Sequence, residues 1–143
     1  MKTILTEIEI NAAAEKVWRI LTDFEKFPAW NPFVTSIAGK PAVGETLKIT
    51  VKVPEKQTLQ FTPKVLRAAP NEELRWVGAM PLGAFRGEHF FKIEALGDDK
   101  IRFTHGEIFN GWTVWLIGFL MGKQLEKGYR LMNEALKDQA ENV

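Results

Sequence analysis

The chain has 143 residues and only two histidines, and both fall with one glutamate in a single stretch of its second half: His89, His105 and Glu107. Residues 86–96 and 100–109 read as a hairpin around Gly97-Asp98-Asp99, and a turn of that kind pairs Leu96 with Lys100. Counting back along the strands sets His89 opposite Glu107 and Phe91 opposite His105. Phe91, Ile93, Phe103 and Phe109 share that parity, so the three polar groups project among aromatic rings toward the interior. Buried polar groups need partners, and a histidine facing a glutamate satisfies both. Three uses compete for the group. It is a structural pair in a cavity wall, or an anchor for the polar end of an otherwise apolar ligand, or an acid–base centre. In the last, His89 or His105 moves a proton during enolisation, aldol closure or dehydration while Glu107 orients it. Two histidines and a carboxylate also match the ligand count of a non-haem iron site. A single register assumption places all three, however, and neither a metal nor a cofactor is assigned.

A long element must lie over this hairpin. No proline occurs from Thr113 to Val143, and Val114, Gly118, Met121, Leu125, Tyr129, Met132 and Leu136 recur three or four apart, which predicts one long amphipathic helix. Tyr129 on its apolar stripe and Trp76 on a neighbouring strand join the residues expected to face a cavity, each with a polar tip that needs a partner. Gly118 and Gly122 each cost about 1 kcal/mol in a helix interior, which points to close packing or to room for a ligand beside the backbone. The first turns are apolar nearly all round. Leu116, Phe119 and Leu120 project away from the stripe, with Trp112 and Trp115 nearby, and the segment 80–85 is expected to fold over them. Left uncovered, this surface is a homodimer interface or a greasy entrance that docks on membranes.

Nearly everything before that helix reads as sheet. Residues 3–10 alternate, with Ile4, Ile8 and Ile10 on one side and Glu7 and Glu9 on the other. Asn11 is placed to cap a helix over residues 12–22, and a second short helix or turn covers residues 23–30, ended by Pro28 and Asn31-Pro32. Strands follow at residues 33–38, 45–53, 58–67 and 74–80, and Pro63 implies a bulge or an unpaired position in the third of these. With the hairpin, that makes seven strands, two short helices after the first and one long helix at the end, an α+β arrangement.

Composition narrows the partner. The chain is sized for one domain spanning residues 1–143, with 19 basic against 18 acidic residues and no cysteine. Near-balanced charge gives no electrostatic case for nucleic acid, and no apolar run is long enough to cross a bilayer. Disulfides, thiol catalysis and cysteine-type zinc sites are excluded, which fits a cytoplasmic protein.

The residues Val17-Trp18, Leu21, Asp23, Trp30 and Pro32 resemble a known family. So do Phe85-x-Gly87-Glu88-His89-x-Phe91, and Arg102-Phe103-Thr104-His105 with Glu107, Phe109 and Gly111. The family is the polyketide cyclase/dehydrase branch of the START-related SRPBCC superfamily, which shares the birch-pollen-allergen fold, and the resemblance runs along essentially the whole chain. It implies a helix-grip fold, in which a seven-stranded curved antiparallel sheet grips a long C-terminal helix around a deep cavity. It also implies a small apolar ligand such as a lipid, polyketide, aromatic or quinone-like molecule. Trp76, Phe91, Phe103, Phe109, Gly118, Met121, Leu125 and Tyr129 are the expected contacts. The alternatives in this superfamily are a cyclase/dehydrase-type enzyme using His89, His105 and Glu107 without a cofactor, and an interaction module like its chaperone-activating relatives. Rieske-type oxygenase activity does not transfer, because those relatives carry cysteines.

Overall fold

The first strand, β1 (Lys2–Ile10), buries Ile4, Thr6 and Ile10 on one face and exposes Glu7 and Glu9 on the other, as its alternation dictates. In the computed structural model, which describes residues 1–142, seven further strands and three α-helices follow it. Helix α1 (Ala14–Thr22) buries Val17 and Leu21, and α2 (Phe27–Trp30) has Pro28 in its first turn, where the missing N–H costs nothing. Asn11 does not cap α1. The flanking residue is Ala13, with no side-chain bond, and the Asn11 N–H is held instead by Glu141 Oε2 at 2.8 Å. Asn31 ends α2 and accepts the Phe33 and Val34 N–H groups on its Oδ1, turning the chain into β2 (Val34–Ala38).

The sheet has two parts. One runs in the order β1-β8-β7-β6-β5, with β5 Lys64–Ala69, β6 Glu73–Met80, β7 Phe85–Gly97 and β8 Lys100–Asn110. The other is β2-β3-β4, with β3 Lys48–Lys52 and β4 Thr58–Phe61. The expected strand over residues 58–67 is thus divided at Thr62-Pro63, because proline cannot donate to a ladder, and the pieces join different sheets. The sheets meet where the segment before β3 pairs with β5, through Leu47 N–H to Pro63 O at 2.8 Å and Val65 N–H to Glu45 O at 2.9 Å. The whole therefore curls into one wall.

The β7–β8 register delivers the expected partners by a different turn. Gly97 pairs with Lys100 and Ala95 with Ile101, so Leu96 is a bulge and Asp98-Asp99 a two-residue turn. The bulge absorbs the extra residue, and His89 faces Glu107 and Phe91 faces His105.

Helix α3 (Val114–Asn142) crosses the concave face for about 43 Å at 1.5 Å per residue. Its character changes midway. Between Val114 and Gly128 no residue is buried, whereas Gly128, Tyr129, Met132, Asn133, Leu136 and Ala140 all are. Burying Met132 or Leu136 fully contributes about 1.5–3 kcal/mol each. At Gly128 the helix backbone meets the Phe33 ring so closely that an added Cβ would lie 2.4 Å from Cδ1. Farther on, Lys137 Nζ reaches Glu9 O at 3.0 Å, tying the helix end to β1.

The segment 80–85 does not cover the helix start. Ala84 O accepts both the N–H and the hydroxyl of Thr113, and Leu82 O accepts Trp112 Nε1 at 3.4 Å, so the loop is moored at the strand–helix junction and extends no farther along α3. Trp115 stays 73% exposed, Phe119 84% and Leu82 95%.

Candidate functional site

A cavity of about 380 Å³ lies between the curled sheet and the unburied span of α3. Its walls come from β3 and β4 (Ile49, Val51, Leu59, Phe61), from β6 and β7 (Trp76, Gly78, Phe85), from Phe33 and Phe109, and from Ile117, Met121 and Leu125 of the helix. Exposed Phe61, Thr62 and Met80 border it, so the mouth lies between the Thr62-Pro63 break and the end of β6. The wall is apolar except for Gln60, Thr62, His89 and Glu107, and among the described residues it carries no lysine or arginine.

The two titratable residues of the wall are one end of a hydrogen-bonded chain that runs through the core. Thr6 spends its hydroxyl proton on His105 O at 2.8 Å, and its oxygen accepts Asn133 Nδ2 at 2.8 Å. That turns Asn133 Oδ1 toward His105 Nδ1 at 2.9 Å, so His105 carries its proton on Nδ1. Burial holds the His105 pKa well below the usual histidine value, and the nearby His89 lowers it further. Neutral His105 thus offers an Nε2 lone pair, into which His89 Nε2–H donates at 2.7 Å. His89 Nδ1 then meets Glu107 Oε1 at 3.2 Å, and the same oxygen accepts the Tyr129 hydroxyl at 2.5 Å. Tyr129 keeps its proton, since burial and then the Glu107 carboxylate push its pKa well above the ordinary value. The His89 Nδ1–Glu107 Oε1 contact thus shares one hydrogen between the two side chains.

Aromatic rings fix the chain. Trp76 stacks on His89 at 5.4 Å between centroids, and Tyr129 stacks on His105 at 4.5 Å. Gly87 makes the space for the carboxylate, since a Cβ there would stand 2.5 Å from Glu107 Oε2. That oxygen accepts no hydrogen bond from the described residues, unlike Oε1. An arrangement of this kind can hold a proton between its bases. Among the described residues no cluster of histidine, cysteine, aspartate or glutamate could hold a metal ion.

The expected contact residues divide accordingly. Trp76, Phe109, Met121, Leu125, His89 and Glu107 line the cavity. Phe91 and Phe103 do not. They stack on each other nearer the hairpin turn, where α1 and the later half of α3 close on the sheet and leave no space. Gly118 also lies off the wall, against the Lys2 side chain, because Ile117, about 100° round the helix, is the residue that turns inward. Tyr129 does not line the cavity and reaches the site from behind, through its hydroxyl on Glu107 and its ring edge-on to His89 at 5.2 Å. His105 is wholly buried behind His89. Asn133 and Thr6 are the residues that sequence reasoning missed. Thr6 shares the inward parity of Ile4 and Ile8, and Asn133 sits one turn beyond Tyr129, so both signals were present.

Comparison with known proteins follows this geometry. No functionally curated protein matches the sequence. Among solved structures, a START superfamily protein from Mycobacterium smegmatis superposes with a TM-score of 0.76 at 22% identity, covering 97% of both chains. The Zhui aromatase/cyclase from Streptomyces sp. R1128 gives 0.76 at 13% identity, covering 98% of this chain and 93% of its own. Truncated norcoclaurine synthase from Thalictrum flavum gives 0.70 at 15% identity, over 99% and 94%. At these identities the likeness is one of fold, and it bears out the helix-grip architecture. The sequence itself matches the family described as "Polyketide cyclase / dehydrase and lipid transport" over residues 1–141, and the chain belongs to that family.

Proposed function

We propose that this protein binds a small, mainly apolar molecule of the lipid, polyketide, aromatic or quinone-like kind in the cavity between sheet and C-terminal helix. The observation that carries the reading is the cavity itself. Its 380 Å³ would hold on the order of a dozen waters at about 30 Å³ each, and its wall is almost wholly apolar, so an apolar guest gains by displacing them. No residue of the helix span above it is fully buried, which is the arrangement a guest would complete. Two measurements test the reading. Native mass spectrometry of the purified protein should find a co-purifying small molecule, and the neutral dye N-phenyl-1-naphthylamine should brighten on binding and be displaced by it. A protein that neither carries a molecule nor takes up the dye would sink it.

The proton shared by His89 and Glu107 favours a second reading, an acid–base enzyme of the cyclase/dehydrase kind that needs no cofactor. In it Glu107 and His89 exchange a proton with the guest, and His105 acts through His89 rather than on the guest. Glu107→Gln would then abolish turnover while leaving dye binding intact.

Five large apolar side chains, Trp112, Trp115, Leu116, Phe119 and Leu120, are exposed at the start of the C-terminal helix, and they support pairing of two copies through this surface. Sedimentation should find a dimer that Trp115→Glu with Phe119→Glu converts to monomer; a monomeric parent would end that idea. The chain also has no cysteine, which fits the reducing cytoplasm, and no helix among its described residues is long and apolar enough to cross a membrane.

A further inference from the structure

From the free oxygen of Glu107 and the absence of lysine and arginine from the described residues of the cavity wall, we infer that the guest carries a hydrogen-bond-donating end, a hydroxyl or an ammonium, and no carboxylate or phosphate. The inference rests on the ligand-binding reading and narrows it.

Three observations converge. First, Glu107 Oε1 is saturated by Tyr129 and His89, while Oε2 borders the Gly87 gap on the cavity side and accepts nothing from the described residues. An oxygen so placed accepts a donor and repels another acceptor. Secondly, the remaining polar wall is Gln60 and Thr62, with no lysine or arginine, so nothing compensates an anion for leaving water. Thirdly, the pair next to that oxygen is ordered from behind. Thr6, Asn133 and His105 direct His89 Nε2–H away from the cavity, leaving Glu107 as the group the guest meets. Buried polar groups of fixed polarity discriminate strongly, because the wrong guest leaves them unpaired. An alcohol, a phenol or an ammonium on an apolar frame fits; a fatty acid or an alkyl phosphate does not.

Four probes on one frame test this: biphenyl, 4-phenylphenol, 4-phenylbenzylamine and 4-phenylbenzoate. Each is titrated at near-neutral pH against the full chain by displacement of N-phenyl-1-naphthylamine. The phenol or the amine should bind at least roughly tenfold tighter than biphenyl, and the benzoate at least roughly tenfold weaker. Which donor leads separates a hydroxyl guest from an ammonium one. Glu107→Gln then reverses the order. With its carbonyl oxygen held by Tyr129, the glutamine turns its NH₂ to where Oε2 stood, so the amine loses its advantage and the benzoate gains. The wild-type ranking decides the matter even if that variant folds poorly. Biphenyl binding as well as both donors, or benzoate binding as well as either, overturns the donor preference and leaves apolar binding intact. No binding of any probe, biphenyl included, overturns both.

Discussion

At the scale of single residues, the hydrogen-bonded chain makes two demands on stability. Asn133→Ala strands the His105 Nδ1–H and withdraws the donor to Thr6, both buried. Leaving such a group unsatisfied costs about 1–3 kcal/mol, so urea unfolding should show a loss of that size, and a loss under a few tenths would mean the chain relaxes freely. His105 also ties stability to pH. It faces His89, Asn133 and Tyr129, with Glu107 beyond, and is held neutral in the folded protein by burial. Its folded pKa is lowered, so on unfolding it takes up a proton once pH falls below the unfolded value of 6.5. Its contribution is complete above that value and is lost as pH falls toward the folded pKa, at up to about 1.4 kcal/mol per pH unit. Unfolding measured from neutral to mildly acidic pH should show this slope in the parent and a shallower one in His105→Gln; equal slopes would refute it. The His89–Glu107 pairing expected from a three-residue turn holds because the bulge at Leu96 offsets the tighter turn that forms, and that bulge was not legible in the sequence. The Thr6–Asn133 contact was not legible either, because 127 residues separate the two and only the packing of α3 on β1 brings them together.

At the scale of elements, the glycines of α3 separate helix propensity from packing. Both Gly122 and Gly128 lie in the helix interior, where alanine is favoured by about 1 kcal/mol. Around Gly122 the nearest atom to an added Cβ is the Lys2 Cε at 3.8 Å, an ordinary contact with a flexible chain. Gly122→Ala should therefore stabilise by about 0.5–1 kcal/mol. At Gly128 the obstacle is the buried Phe33 ring, itself packed edge-on against Tyr129 at 5.3 Å. Gly128→Ala should destabilise by about 1–3 kcal/mol in spite of its better propensity. Thermal melts of the pair decide it, and two shifts of the same sign would contradict this account. The sequence marked Gly118 and Gly122 as sites of close packing or of room for a ligand; the helix glycine that meets a buried ring is Gly128, since nothing local says which turn of a helix will cross an aromatic ring.

At the scale of the whole molecule, the cavity is a place where packing was left incomplete. Interiors otherwise approach crystal-like density, and a void lined by apolar groups forgoes their dispersion contacts. Filling it with a side chain should then remove binding without harming the fold. Leu125→Trp and Met121→Trp place an indole where a guest would sit. Each should weaken uptake of N-phenyl-1-naphthylamine at least roughly tenfold and leave the melting temperature unchanged or raised. Unimpaired uptake in both variants would mean the dye binds elsewhere, for which the exposed Trp115–Leu120 surface is the obvious competitor.

The sequence by itself determined which stretches are strand and which helix, the antiparallel hairpin that carries His89, His105 and Glu107, and the long closing helix. Each follows from a local period, two for a strand and 3.6 for a helix, set by which neighbouring residues are apolar. Tertiary structure alone decided where that pattern leaves a hole. Only the crossing of α3 over the curled sheet put Ile117 rather than Gly118 inward and packed Phe91 and Phe103 into solid core. The same crossing joined Asn133 to Thr6 behind His105 and left Glu107 Oε2 open beside Gly87. These depend on the rotation and closeness of elements far apart in the chain, and no periodicity encodes those. The surface from Trp112 to Leu120 shows the same division. Its apolar character is written in the residues, and its exposure follows from Ala84 and Leu82 mooring the neighbouring loop at Thr113 and Trp112.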